Sequence, residues 1–444
     1  MLRRLGDVLN SWSRKYVPDP YVFAILLTIL TFILGIFVAK NTPFQMILHW
    51  QAGFWNLLTF SMQMALILVT GHAVASSPLV RRWLKGLARI PGNSRQAVYL
   101  VGFVACLMAL INWGLGLIVG ALLAREVARE GRLRGIKMHY PLIVAAGYLG
   151  LMVWHGGFSA SAPLLVATEG HFLQDKIGLI AVSQTLFSPL NLAVSLGLLV
   201  LAPLFAMMLH PKDEVQEINL ADFPEEEAEP QVEADDTPAS RLENSYILTW
   251  IIGLGGLVFI VYHSATKGFD LNLNFVNWFF LFIGIVLHGT PVRYVHAVAE
   301  AARGVSGIIL QFPFYAGIMG MMGGSGLVQI IADWFVSIST ATTYPIFSFI
   351  SAGLVNLFVP SGGGQWAVQG PIMVEAAPRL GVSYAKTIMS VAYGDQLTNM
   401  LQPFWAIALL GITKLRARDI IGYTLGVMLL SGIYIILCIL IFPA

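Results

Sequence analysis

Long apolar runs dominate the chain, and polar positions interrupt them at a few places. Tyr21 to Val38, Ile177 to Met208 and Ile420 to Phe442 are each apolar over about 20 residues or more, the length an α-helix needs to cross a bilayer. Nothing in the chain shows the short alternating segments of an outer-membrane barrel. The pattern predicts an all-α integral membrane protein.

Two runs are broken in the middle. The stretch "RQAVYLVGFVACLMALINWGLGLIVGALLAREVARE", from Arg95 to Glu130, is interrupted by Asn112, Gly114, Gly116 and Gly120. Short loops rich in Lys and Arg stay in the cytoplasm. Arg3, Arg4, Arg14 and Lys15 place the N-terminus inside; "SSPLVRRWLKGLARIPGNSR" and "REVAREGRLRGIKMHYP" place both flanks of the broken run inside as well. A segment with both ends on one side crosses an even number of times, and two full spans need about 40 residues. The run is too short, so it predicts a re-entrant helical hairpin over residues 96–124 with its tip at Asn112 to Gly116. One long tilted helix is the alternative, at the cost of a basic loop outside. A second broken run, "YPIFSFISAGLVNLFVPSGGGQWAVQGPIMVEAAP", predicts a second hairpin over residues 344–377.

The remaining runs complete about nine transmembrane helices. After Pro141 to Thr168 and Ile177 to Leu209 come Ser245 to His263, Asn274 to His288 and Gly304 to Met322, and then Tyr384 to Ile412 before the last span leaves the C-terminus outside. The pairs Thr42/Thr290, Gln63/Gln311, Ser77/Ser325 and Leu79/Leu327 share one offset. Each half also reads as span, span, amphipathic stretch, hairpin with an Asn near its tip (Asn112, Asn356), then a span broken before a proline (Pro163, Pro403). Residues 1–209 form a first repeat, 210–244 an acidic cytoplasmic linker, 245–263 a connecting helix and 264–444 a second repeat of inverted orientation. Inverted repeats with broken helices mark secondary transporters.

Composition agrees: 57% of residues are hydrophobic and 11% charged, far from the quarter charged of an ordinary soluble chain. The leader "MLRRLGDVLNSWSRKY" lacks a cleavage site and predicts a retained first span. The net charge of +2 conceals an asymmetry, since about half of the 24 acidic residues fall between Lys212 and Asn244. "PEEEAEPQVEADD" there has the composition of a solvated loop. Cys106 and Cys438 sit inside apolar runs as small core residues, not as a disulfide or a metal pair.

Four breaks carry the candidate chemistry: Asn112-Trp113-Gly114; Ser361-Gly362-Gly363-Gly364-Gln365-Trp366; "HGGFSASAP" from His155; and "AYGDQLTNMLQP" from Ala392. Glycine runs free backbone N–H groups for an anion and carbonyls for a cation. Ser159, Ser161, Ser361 and Thr398 add hydroxyls, and Asn112, Asn356, Gln365, Gln396 and Asn399 add amides. Each of these also serves to pack membrane helices. Asp395 differs in kind, because an ionisable residue in a span costs at least about 2.5 kcal/mol to insert, which makes it a candidate for ion coupling. A buried structural acid is the alternative. His155 has a titrating or a structural role. Trp113, Trp154, Trp366 and Trp405 line an apolar pocket or pack. No Lys or Arg lies in any break, which suits one small negative charge better than a dicarboxylate or phosphate.

At these residues the chain resembles the short-chain fatty acid transporter family, which includes the transporter of bacterial acetoacetate degradation. The resemblance rests on "VPDP" at Val17, "GFWNLL" at Gly53, "MQMALILVTGHA" at Met62 and "INWGLGLIVGA" at Ile111. It continues through "QFPFYAGI" at Gln311, "VPSGGGQWAVQGP" at Val359 and "AYGDQ" at Ala392. It implies an inner-membrane homodimer with a scaffold and an elevator-like transport domain carrying both hairpins. The substrate it implies is a short-chain monocarboxylate, with sodium, held at the hairpin tips, or a proton as the coupling ion. The bilayer is then a partner; nucleic acid and organic cofactors are not. That family often carries glycine at the position of His155, so the pocket here is expected to differ in polarity. An intramembrane serine hydrolase, with Ser159 or Ser161 as nucleophile and His155 as base, and a passive channel are the competing readings.

Overall fold

The computed structural model describes residues 20–211, 215–223, 237–268, 271–357 and 359–442; the N-terminal leader and the acidic run "PEEEAEPQVEADD" lie outside the described residues. Among the described residues every regular element is helical. In the first half these are α1 (Pro20–Phe37), α2 (Pro43–Gly53), α3 (Leu58–Ala75), α4 (Pro78–Ala88), α5 (Ser94–Ile111), α6 (Trp113–Leu133), α7 (Tyr140–Tyr148), α8 (Ser161–Leu165), α9 (Gln174–Ile177) and α10 (Pro189–Met208). Short α11 (Pro238–Glu243) precedes α12 (Tyr246–Lys267) and α13 (Leu273–His288). Then come α14 (Pro291–Ala302), α15 (Ser306–Ser325), α16 (Leu327–Ile338), α17 (Tyr344–Asn356), α18 (Gly362–Ala376), α19 (Tyr384–Thr398), α20 (Pro403–Thr413) and α21 (Ala417–Ile441).

Seven stretches among the described residues are long and apolar enough to cross a bilayer. They include the α5 arm of the first broken run; the expected nine instead count α1, α13 and the interrupted α19–α20, whose helices are shorter. Burial separates inner from outer helices. The window in Tyr140–Leu165 is 89% buried and that in Pro238–Thr266 only 17%, so α7–α8 runs through the centre and α12 along the rim.

Both broken runs fold back on themselves as antiparallel helix pairs. In the first, Asn112 adopts an extended backbone between α5 and α6. A Cβ on Gly116 would come 2.5 Å from Ala109, and one on Gly120 3.1 Å from the Ala105 Cβ, so the two helices run in opposite directions at close approach. In the second, the Gln365 side-chain amide donates to the Ala352 carbonyl (2.9 Å) and the Tyr344 hydroxyl to the Met373 carbonyl (2.6 Å). The single tilted helix is therefore excluded, and the paired arms extend over Ser94–Leu133 and Tyr344–Ala376.

One expectation needs correction. The apolar run predicts one helix from Ile177 to Leu209, whereas α10 begins only at Pro189. Proline forces the preceding residue out of helical geometry, and Ser188 is extended and caps Asn191. Upstream, Gly178 has φ +65° and the Ile180 N–H donates to the Val166 carbonyl, so this backbone satisfies itself without a helix. The acidic run read as a solvated loop lies outside the described residues, while the stretch before it, 215–223, is tethered to the helices at a few points. The Gln216 N–H donates to His139 Nδ1 (3.1 Å), the Gln216 carbonyl accepts from Tyr140, Glu217 pairs with Arg132, and Ile218 is buried. Of the apolar residues here Ile218 is buried, Leu220 and Phe223 are partly buried, and Val215 is exposed.

Candidate functional site

The four helix interruptions meet around one small pocket. Its wall takes Trp113 from the first hairpin, Leu151, Trp154 and Ser161 from the break between α7 and α8, and Ser361, Gly362 and Gly363 from the second tip. Asn399 and Trp405 come from the break between α19 and α20. Met64 of α3 and Ile308 and Phe312 of α15 close it. The free space is about 20 Å³, room for about one water molecule. The Trp113 ring lies 5.8 Å from that of Trp154 and 5.3 Å, edge-on, from that of Trp405. No Lys or Arg lines the pocket.

At the first tip the turn around Asn112 is satisfied, although the Trp113 indole N–H has no partner. Asn112 caps α6 by accepting from the Leu115 N–H (3.0 Å), while its amide donates to the Ile67 carbonyl of α3 (3.2 Å). The Ser159 hydroxyl accepts from the Trp113 N–H (2.8 Å), tying the tip to the α7–α8 break. Gly71 of α3 leaves room for Asn112, since a Cβ there would lie 2.0 Å from its Oδ1. Asn112, Gly114 and Ser159 thus build the wall without lining the pocket; only Trp113 reaches it.

At the second tip Ser361 caps α18 by accepting from the Gly364 N–H (3.2 Å). The glycines answer to packing: a Cβ on Gly362 would lie 2.5 Å from the His155 ring, on Gly363 2.8 Å from Phe60, and on Gly364 2.4 Å from Tyr315. Three aromatic groups from three elements can close on the tip only because it carries no side chains. Gln365 turns towards α17, and Trp366 is buried against its own helix at Gly370, so neither lines the pocket.

His155 and Asp395 are 3.0 Å apart through Nε2 and Oδ1, both buried. The Ser161 N–H donates to His155 Nδ1 (3.4 Å), so Nδ1 is the acceptor and the ring proton on Nε2 donates to Asp395. The His155 N–H donates to Gln396 Oε1 (3.1 Å). The Asn356 amide donates to the Asp395 carbonyl, Thr398 Oγ1 and Asn399 Oδ1, and Gln402 donates to the Asn356 carbonyl. In and beside this network the acceptor oxygens Asp395 Oδ2, Asn356 Oδ1 and Gln365 Oε1 have no partner, and neither does one donor, Gln396 Nε2. Asn356, Asp395, Gln396 and Thr398 form this network beside the pocket, and Asn399 belongs to both.

Leu151, Met64, Ile308 and Phe312 escaped sequence reasoning, because an apolar residue in an apolar helix carries no local mark. The stretches "MQMALILVTGHA" and "QFPFYAGI" held the available signal. Neither serine hydroxyl meets the histidine: Ser159 Oγ accepts from Trp113 and Ser161 Oγ faces Met64 Sδ at 3.9 Å. With both ring nitrogens engaged, His155 is no base for either.

Helices broken around a central closed pocket define a helical membrane transporter, and solved structures share the fold. The YdaH transporter of Alcanivorax borkumensis matches with a TM-score of 0.56 at 17% identity, over 96% of this chain and 97% of that one. MtrF of Neisseria gonorrhoeae, described with a class of antimetabolite efflux pumps, matches with a TM-score of 0.53 at 14% identity, over 99% and 97%. At such identities the likeness is one of fold. The chain belongs to the short chain fatty acid transporter family, whose model matches residues 1–442. It is 44% identical to a protein of Escherichia coli K12, over 98% of this chain and 99% of the relative. It is 41% identical to one of Haemophilus influenzae, over 97% and 98%. Both bear the name "Putative short-chain fatty acid transporter", a transporter and not an enzyme.

Proposed function

We propose that the protein is a secondary active symporter of short-chain monocarboxylates such as acetoacetate and butyrate, driven by sodium or protons. The observation that carries this is the pocket where four helix breaks meet, aromatic on its walls, hydroxyl-bearing at Ser161 and Ser361, and free of Lys and Arg. A dicarboxylate or phosphate buried there would lack a fixed cation. A single carboxylate is served by neutral donors and by the first turn of α18, whose leading N–H groups have no partner within the helix. The tight space supports a carrier that opens and closes, not an open channel.

The antiparallel arms support two re-entrant hairpins in inverted repeats, placed in the inner membrane of a bacterial homodimer with the N-terminus inside and the C-terminus outside. Elevator-like movement of both hairpins with α7–α8 and α19–α20 would carry the pocket between the two sides. Asp395 is the coupling group. Its unpartnered Oδ2, with Asn356 Oδ1 and Gln365 Oε1, gives a set of buried oxygen acceptors without donors, the chemistry a hard cation or a proton supplies. Sodium is favoured, because the amide oxygens cannot take up a proton at ordinary pH. Trp154 connects the parts: its ring centroid lies 3.7 Å from that of His155, which is bonded to Asp395.

Uptake of labelled butyrate into proteoliposomes under imposed sodium or proton gradients tests this. The wild type accumulates butyrate uphill under one of the gradients. Asp395→Asn keeps the His155 hydrogen bond and butyrate exchange but loses accumulation. Downhill flux alone in the wild type would make the protein a channel, and full accumulation by the variant would make Asp395 structural.

A further inference from the structure

We infer that the indole N–H groups of Trp113 and Trp154 are the donors that receive the substrate's carboxylate. This rests on the monocarboxylate reading above and assigns it to two atoms. Both residues line the pocket, with only 3% and 5% of their surfaces exposed, and neither Nε1 has a hydrogen-bond partner. An indole nitrogen only donates. Burying one unpaired forfeits its hydration with nothing in return, whereas phenylalanine would fill much of the same space without that cost. One unpaired indole is an isolated cost; here two, with rings 5.8 Å apart and inclined by 54°, belong to residues that border one small cavity.

Elsewhere Trp278 donates its N–H to the Gly256 carbonyl (3.1 Å). Trp50 Nε1 and Trp366 Nε1 are also unpaired but lie off the pocket wall and stand apart, so the assignment rests on the pairing of two such indoles at one cavity. A carboxylate accepts through two oxygens and so pairs with two donors at once. Once the pocket opens beyond its room for one water, the short alkyl chain would border Met64, Leu151 and Phe312. Neutral donors also explain how a carboxylate is held without a fixed cation: they bind the anion, yet release it more readily than an arginine fork would.

The test uses the full chain in nanodiscs with radiolabelled butyrate, and indole-15N tryptophan for NMR. Trp113→Phe and Trp154→Phe each weaken butyrate binding by about 10- to 100-fold, the range for hydrogen bonds to a charged group. Binding of butanol, whose neutral hydroxyl accepts only an uncharged hydrogen bond, falls by a smaller factor than that of butyrate in the same variants. In the wild type the two Nε1–H resonances, assigned by their loss in the variants, move downfield as butyrate saturates the protein. Butyrate affinity within twofold of wild type in both variants, or indole resonances that do not move, overturns the assignment while the monocarboxylate reading stands. A wild type that binds no butyrate overturns that reading and the assignment with it.

Discussion

The two hairpin tips are built from similar materials and end in opposite states. At the first, one residue turns the chain, and Asn112 spends its amide on Ile67 and its oxygen on Leu115, while Ser159 covers the Trp113 N–H. At the second, a glycine run turns the chain under His155, Phe60 and Tyr315, and acceptor oxygens on Asn356 and Gln365 are left over. A polar break in a membrane helix is thus not by itself a site. Where the turn's own groups have partners, as at Asn112, they form a wall; where groups are left over, as at the Trp113 indole and the Asn356 and Gln365 oxygens, they can do chemistry.

The largest effect should come from Gly71→Val. Its Cβ would stand 2.0 Å from Asn112 Oδ1, which is held from two sides and cannot retreat. Overpacking and the two displaced hydrogen bonds together cost about 3–5 kcal/mol, so little monodisperse protein should elute in size-exclusion chromatography. Asn112→Ala should cost about 2–3 kcal/mol by uncapping α6 and orphaning the Ile67 carbonyl. A fall in melting temperature with unchanged transport per folded molecule would identify the first tip as structural; a transport defect in stable protein would erase the contrast. Ser361→Ala should behave in the opposite way. Loss of the α18 cap costs about 1 kcal/mol, but the hydroxyl lines the pocket, and initial butyrate uptake should drop by about tenfold. The smallest effect belongs to Arg379→Gln. Its pair with Asp333, between the end of the second hairpin and α16, is solvent-exposed and screened, so neither melting nor uptake should change measurably.

Much of the fold was legible because breaks in membrane helices have a conspicuous vocabulary. Asn112 with its glycines, "PSGGGQW" and the prolines at 163 and 403 stand out in apolar surroundings, and the observed helix ends fall at or within a few residues of them. The run from Gly178 to Ser188 was illegible for the converse reason: it is apolar, and hydropathy cannot distinguish a helix from buried turns that satisfy one another. The tethered stretch 215–223 was masked by the acids around it. At the site, Trp113, Ser161, Ser361, Gly362 and Gly363 line the pocket together with Asn399, which was read as an ion-coupling residue, while Gln365 and Trp366 turn away although they share a motif with Ser361. Sequence neighbours on a helix point to different sides, and motif membership does not say which.

The sequence by itself determined that the chain is helical and membrane-bound, where its helices break, and that an acid and a histidine sit at two of the breaks. These are local properties, set by side-chain hydropathy and backbone freedom. Only the tertiary structure decided that His155 and Asp395, 240 residues apart, share a hydrogen bond. It also decided that Asn112 is consumed by α3, and that the indole N–H groups of Trp113 and Trp154 at the pocket and the oxygens of Asp395, Asn356 and Gln365 beside it remain unpaired. Whether a buried polar group is satisfied depends on which distant atoms come within about 3 Å of it. That is fixed by how the helices pack, not by the residues beside it in the chain.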